Sequence, residues 1–183
     1  GLRFFERKEI KDILAYLCVI NNPSDNLRLN RIINEPKRKI GAATVEAIES
    51  LANTNGLSMY GVLERIEEYP VLAKSKEKLA SFVSLIEEVK STCSLPSEML
   101  SALFDKSGYH DMLKAEGFEG EGKIENVNEL ITAALEYEKR VSESDEEPTL
   151  TGFLEEVFLI SDVDKYDENA DAVVLMTVHA AKG

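Results

Sequence analysis

The sequence predicts a mainly α-helical domain with one short β-strand near its carboxyl end. Three observations carry this. Apolar residues recur at spacings of three and four from Ile10 to Phe158, the period of a helix face. Clusters of Asn, Gly, Pro and Ser interrupt that pattern where helices would end. Only Ala172-Val173-Val174-Leu175-Met176-Thr177-Val178 departs from it, a β-branched run that reads as a strand buried on both faces.

The first helix is expected over about Lys8 to Ile20, with Ile10, Ile13, Leu14, Leu17 and Ile20 on one stripe and Asn21-Asn22-Pro23-Ser24 ending it. Asp25 caps a second helix that buries Leu29, Ile32 and Ile33. Pro36 closes that helix, because proline disfavours helical geometry in the residue before it. A basic turn, Lys37-Arg38-Lys39-Ile40-Gly41, leads into a third helix over about Ala42 to Ala52, with Val45, Ile48 and Leu51 inward and Asn53-Thr54-Asn55-Gly56 as its break. Ser58 caps the next segment, marked by Met59, Val62, Leu63 and Ile66. Leu79, Phe82, Val83, Ile86 and Val89 mark another helix. Met99, Leu100, Leu103 and Phe104 mark one more, opened by Pro96 at its first turn.

Gly117 to Gly122 reads as a flexible loop. After it, Ile124, Val127, Leu130, Ile131, Ala134 and Leu135 mark a long helix ending near Arg140. The acidic stretch Ser142 to Glu147 is a linker, and Thr149 caps a short helix that buries Phe153, Leu154, Val157 and Phe158. The lone strand cannot stand by itself, since its backbone groups need neighbouring strands and no other run supplies them. The expectation is an excised helical domain, bounded by fragments of an α/β domain that begins before Gly1 and resumes at Ala172.

The chain has 183 residues, 44% of them apolar, and a formal net charge of −13. That suffices for one packed core and argues against disorder throughout. The charge is unevenly spread: residues 1–45 hold nine basic side chains against five acidic ones, whereas residues 143–171 hold eleven acids and Lys165 as the one base. A globally acidic chain repels polyphosphate, so any nucleic-acid contact has to be a local basic patch in the first quarter. Cys18 and Cys93 cannot build a disulfide framework and no signal-like segment leads the chain, so a reducing, cytoplasmic setting is expected. The longest apolar run, Ala172 to Val178, is far shorter than the ~20 residues that span a bilayer. No membrane partner is expected.

Two motifs carry chemistry. Lys37, Arg38 and Lys39 with Ile40, Gly41, Ala42 and Thr44 place three cations and a glycine at a helix entrance, where the first N–H groups lack intrahelical partners and attract anions. Ile40 would anchor the turn while Gly41 admits a phosphate, giving a clamp on a nucleic-acid backbone without sequence preference. The same composition also fits an ordinary solvated basic turn. At the other end, Thr177, His179 and Lys182 fall in the loop at the carboxyl end of the strand, where α/β sheets bind ligands. They suit a phosphate contact or an unremarkable surface loop. His110 has no second His or Cys at ligand spacing and reads as structural. Neither Cys18, on the first apolar stripe, nor Cys93 looks like a nucleophile. There is no Gly-x-x-x-x-Gly-Lys-Ser/Thr loop and no strand ending in paired acids, so no catalytic residue, metal site or cofactor site is expected within the chain, and alone it should be catalytically silent.

Gly1-Leu2-Arg3-Phe4-Phe5-Glu6-Arg7-Lys8-Glu9-Ile10-Lys11-Asp12, followed by Ala15-Tyr16-Leu17, resembles the block that precedes the 2B subdomain of UvrD/PcrA/Rep-type superfamily 1 DNA helicases. Arg31-Ile32-Ile33-Asn34-Glu35-Pro36, the Ile40-Gly41 turn, Ile124-Glu125-Asn126-Val127-Asn128-Glu129-Leu130 and Val174-Leu175-Met176-Thr177-Val178-His179-Ala180-Ala181-Lys182-Gly183 follow in that family's order, nearest its PcrA branch. The resemblance implies residues 1–22 as the end of a RecA-like 2A segment, 23–170 as a helical 2B-like subdomain and 171–183 as the start of a second 2A segment with motif V. It implies a parent that uses ATP and Mg2+ to translocate 3′-to-5′ on DNA in repair and replication, with 2B contacting the duplex ahead. Ile40 and Gly41 match the duplex-contacting turn, Thr177 and His179 match motif V positions against single-strand phosphates, and Arg3 matches the single-strand track. Lys39 stands where the family turn usually has its first glycine, and the glutamate that normally follows motif V lies beyond Gly183. An alternative function is an acidic helical module that docks a repair or transcription protein without touching DNA.

Overall fold

The computed structural model describes residues 3–165. Among them the chain is helical throughout with no strand, as the apolar periodicity predicts. The expected strand from Ala172 to Val178 lies outside the described residues.

The hub is α1 (Lys8–Asn21), in which Ile10, Ile13, Tyr16, Leu17 and Val19 are fully buried. Its stripe is broad enough to face several partners, so α1 packs against α2 (Asn26–Ile32), α5 (Lys76–Thr92), α6 (Pro96–Lys106) and α8 (Phe118–Glu143). Between α2 and α5 lie α3 (Ala42–Asn55), α4 (Met59–Glu64) and the 3-10 turns Ile66–Glu68 and Pro70–Ser75. Short α7 (Tyr109–Ala115) packs on α6 and α8, and α9, over residues 150–165, closes the bundle.

The caps act as the residue types require. Asp25 accepts from the Arg28 N–H at 3.1 Å, Ser58 from Gly61 at 3.0 Å and Thr149 from Gly152 at 3.0 Å. Pro96 opens α6, whose first turn is completed from a distance: the buried Glu138 carboxylate accepts from Ser97 N–H and Ser97 Oγ, both at 2.7 Å. That carboxylate meets the positive end of the helix dipole. Tyr137 against Phe153 (5.6 Å between ring centres) and the two-pronged Arg140–Glu156 pair (2.6 and 2.9 Å) tie α9 to α8.

Several expected boundaries are corrected. The third helix runs past Ala52 to Asn55 and stops at Gly56, whose φ of 62° supplies the left-handed terminus that side chains resist. The segment Gly117 to Gly122 is no loop, because α8 begins at Phe118. Gly120 is there for packing: a Cβ built on it would lie 1.8 Å from the Leu113 carbonyl oxygen, so the glycine lets α8 press onto the end of α7. At its other end α8 continues past Arg140 to Glu143. Leu135, assigned to the apolar stripe, is 54% exposed, and Phe158 is half-buried beneath the Arg28 guanidinium, 5.4 Å from its ring centre.

Candidate nucleic-acid interface

The turn between α2 and α3 is a built structure. Asn34 Oδ1 accepts from the backbone N–H groups of Arg38 (2.7 Å) and Ile40 (3.2 Å), pulling the chain into a closed loop. The Glu35–Pro36 peptide is cis. The Tyr16 hydroxyl donates to the Glu35 carbonyl at 2.6 Å. Burial pushes the Tyr16 phenol up to about 12 against the opposing pull of Arg38, so it keeps the proton it donates. Ile40, 1% exposed, is the apolar anchor the sequence suggested.

Within this loop the three cations have different fates. Lys37 and Lys39 are exposed, whereas Arg38 turns inward. One arm of its guanidinium donates to the carbonyls of Ile32 (2.8 Å), Ile33 (3.3 Å) and Glu35 (3.4 Å), and the other donates to the Tyr16 hydroxyl. Its plane also lies over the rings of Tyr16 and Phe82, at 5.7 and 5.2 Å. Those carbonyls belong to the end of α2 and the residues beyond it, where only the Ile32 carbonyl also accepts a backbone N–H, that of Glu35 at 3.0 Å. Arg38 therefore serves as a strut, and the solvent-facing charge of the turn comes from Lys37 and Lys39.

Lys39 has a left-handed backbone, with φ of 60°. A β-carbon there crowds the neighbouring carbonyl. Lys39→Gly is expected to raise the unfolding free energy by about 0.5–1 kcal/mol, after the added freedom of the unfolded chain is offset. A urea midpoint at or below that of the parent chain would contradict this.

Gly41 is the N-cap of α3, with φ −80° and ψ 172°, and no side chain closes the helix end. The N–H groups of the exposed Ala42 and Ala43, and that of Thr44, are thus left for water or an anion. Any residue could adopt the Gly41 backbone angles, and a Cβ added there meets nothing within 4 Å. Thr44 Oγ1 lies 3.4 Å from Ser75 Oγ, which sets the first turn of α3 beside the junction of Pro70–Ser75 with α5.

The structure therefore gathers Lys37, Lys39, Gly41, Ala42 and Thr44 on one surface, backed by Ile40 and Arg38. Arg3 is not part of it: it lies 3.8 Å from Glu6 and beside Ser161 and Asp164 of α9. Thr177, His179 and Lys182 are outside the described residues. Asn34, Tyr16 and Phe82 were missed as builders of the turn. An Asn just ahead of a Pro-containing turn is a local signal that could have exposed the first, whereas the two aromatics are distant in sequence. Elsewhere, His110 stacks on Phe104 at 4.7 Å, a structural role. Cys18 borders a cleft of about 440 Å³ with Lys11, Arg28, Arg31 and Phe158, and burial pushes its thiol up to about 11, far from a reactive thiolate. Among the described residues no cluster of His, Cys, Asp and Glu could hold a metal, and no helix is long and apolar enough to cross a membrane.

Comparison with known proteins gives the family of this mainly α domain. The chain belongs to the UvrD-like helicase C-terminal domain family, whose match covers residues 1–183. It is 39% identical over 192 residues to the ATP-dependent DNA helicase PcrA of Bacillus subtilis, covering 100% of this chain and 25% of that protein. PcrA of Staphylococcus epidermidis (39% over 186 residues) and of Staphylococcus aureus (36% over 186 residues) match with the same coverage. The chain thus spans about a quarter of the length of the curated relatives it matches.

Proposed function

We propose that this chain is the duplex-contacting, regulatory 2B-type region of an ATP-dependent 3′-to-5′ DNA helicase acting in repair and replication. Residues 23–170 form the subdomain, packed around α1 of the 1–22 segment, and 1–22 and 171–183 join it to the second motor. The ATP- and Mg2+-dependent chemistry belongs to motor domains of the parent, since this chain has no phosphate-binding loop. Its own contribution is to hold the backbone of the duplex through Lys37, Lys39 and the N–H groups that open α3, whatever the base sequence. Thr177, His179 and Lys182 would meet the single strand in the assembled enzyme, with Arg3 on the same track.

The observation that carries this reading is Gly41. Nothing in the fold requires glycine there, in conformation or in space, yet it sits at an uncapped helix end between exposed lysines and a solvent-facing first turn. Glycine suits an N-cap, and the same lack of a side chain lets a ligand approach the open backbone closely.

The test is fluorescence anisotropy with a labelled duplex at low salt. Gly41→Ala is expected to shift stability by less than about 0.5 kcal/mol, poorer capping offsetting lower chain entropy, while weakening duplex binding severalfold. Lys37→Ala with Lys39→Ala is expected to weaken binding equally for unrelated sequences and to reduce the slope of log K against log salt by about 2. Full affinity in both variants would reject the interface.

A further inference from the structure

We propose that Lys74, in the Pro70–Ser75 turn, and Lys78, in the first turn of α5, form a second edge of the same duplex-binding surface, with Lys78 holding a sugar-phosphate segment at the cleft beside Arg38. The proposal rests on the reading of the turn as a duplex contact and extends it to residues far away in sequence.

Two contacts place these lysines beside the turn. Thr44 Oγ1 meets Ser75 Oγ at 3.4 Å, so the open end of α3 abuts the residue between Lys74 and Lys76. The Arg38 guanidinium lies 5.2 Å from the Phe82 ring centre, one helical turn beyond Lys78, which clamps the basic turn to α5. On the Arg38 side of Lys78 opens a cleft of about 380 Å³ bordered by Arg38, Glu77, Lys78, Ser81, Lys106 and Ser107, with Phe82 and Leu85 also in its wall and Lys74 outside it.

The charge state of this edge selects its partner. Lys76 is engaged with Glu67 at 2.6 Å and Lys106 with Glu88 at 2.6 Å. Lys74 and Lys78 are exposed and make no ion pair with any described residue, like Lys37 and Lys39 across the way. Two pairs of uncommitted ammonium groups therefore flank one open helix end in a protein whose net charge is −13. The cleft combines an apolar patch, two hydroxyls and a cationic rim with a single bordering acid, Glu77, outside an ion pair. Deoxyribose can lie on the half-buried Leu85, Phe82 being covered by Arg38, while phosphate oxygens accept from Lys78, Ser81 and Ser107, a division that suits a nucleic-acid backbone better than a bare phosphate or a carboxylate side chain.

The test uses the full chain, a labelled duplex and four proteins: the parent chain, Lys37→Ala with Lys39→Ala, Lys74→Ala with Lys78→Ala, and Lys90→Ala as a control at the far end of α5. The Lys74/Lys78 variant is expected to melt like the parent, to bind the duplex about tenfold more weakly at low salt, and to lower the log K against log salt slope by about 2. The control should match the parent. If the turn variant loses affinity while the Lys74/Lys78 variant keeps the parent's affinity and slope, the second edge is wrong and the turn stands. If the parent chain itself does not bind, the reading of the turn fails and takes the second edge with it. Binding of polyglutamate, lost in the Lys74/Lys78 variant, with duplex affinity unchanged, would overturn the proposal in favour of an acidic protein partner.

Discussion

Arg38→Ala is expected to lose about 2–4 kcal/mol of folding stability, a deficit that neither neighbouring lysine would show. The Ile33 carbonyl loses its donor, the Ile32 and Glu35 carbonyls are left with the Glu35 N–H and the Tyr16 hydroxyl, the Tyr16 hydroxyl loses a partner, and the faces of Tyr16 and Phe82 lose a cation. Lys37→Ala and Lys39→Ala remove exposed charges and should leave the denaturation midpoint nearly unchanged. Duplex affinity of Arg38→Ala should fall as well, through loosening of the loop that presents Lys37, Lys39 and Gly41. Arg38→Lys discriminates between the two roles. It keeps the charge but not the planar fork, so it should recover only a small part of the lost stability. Urea denaturation of the four variants settles the matter, and full recovery by lysine would mean that charge alone matters at this position.

Asp12→Ala should be the other costly change, at about 3 kcal/mol. The Asp12 carboxylate, 1% exposed, accepts from Lys8 Nζ and Arg31 Nε, both at 2.7 Å, and from the Tyr109 hydroxyl, joining α1 to α2 and α7. Removing it strands the Tyr109 hydroxyl in the interior. Lys8 and Arg31 are 59% and 38% exposed and turn to water once released, which keeps the loss near the lower end for a broken buried pair. Asp12→Asn retains an acceptor and should lose less. A second readout is the alkaline absorbance of Tyr109, whose phenol is pushed up by burial first and then by the Asp12 hydrogen bond and charge. In the variant its ionisation should move to lower pH. Unchanged stability together with unchanged titration would remove Asp12 from the core network.

Much of this architecture is legible in the sequence because it depends on neighbours three or four residues away. The stripe of α1, the Asp25, Ser58 and Thr149 caps and the Pro96 opening all follow from local chemistry, and all are found. What escapes is set by contacts across the fold. Gly120 reads as a loop residue until the Leu113 carbonyl is seen where its side chain would be. Arg38 reads as one of three equivalent cations, because Tyr16 and Phe82, which draw it inward, stand 22 and 44 positions away. Glu138 likewise belongs to α8 in sequence and to the first turn of α6 in space. The location of the candidate interface was thus readable from charge and glycine placement, while the division of labour inside it was not.

The position of α1 has a mechanical consequence. A pull on the polypeptide ahead of Lys8 enters the helix that touches α2, α5, α6 and α8, so the load spreads over four braces before any one of them yields. The 3-10 turn Phe4–Glu6 has no fully buried residue, but Phe4 and Phe5 lie part-buried against the same core, so the entering chain is seated before it reaches α1. The basic turn shares that bracing, since the Tyr16 hydroxyl of α1 holds its Glu35 carbonyl, so a load on α1 is felt at Lys37 and Lys39 as well.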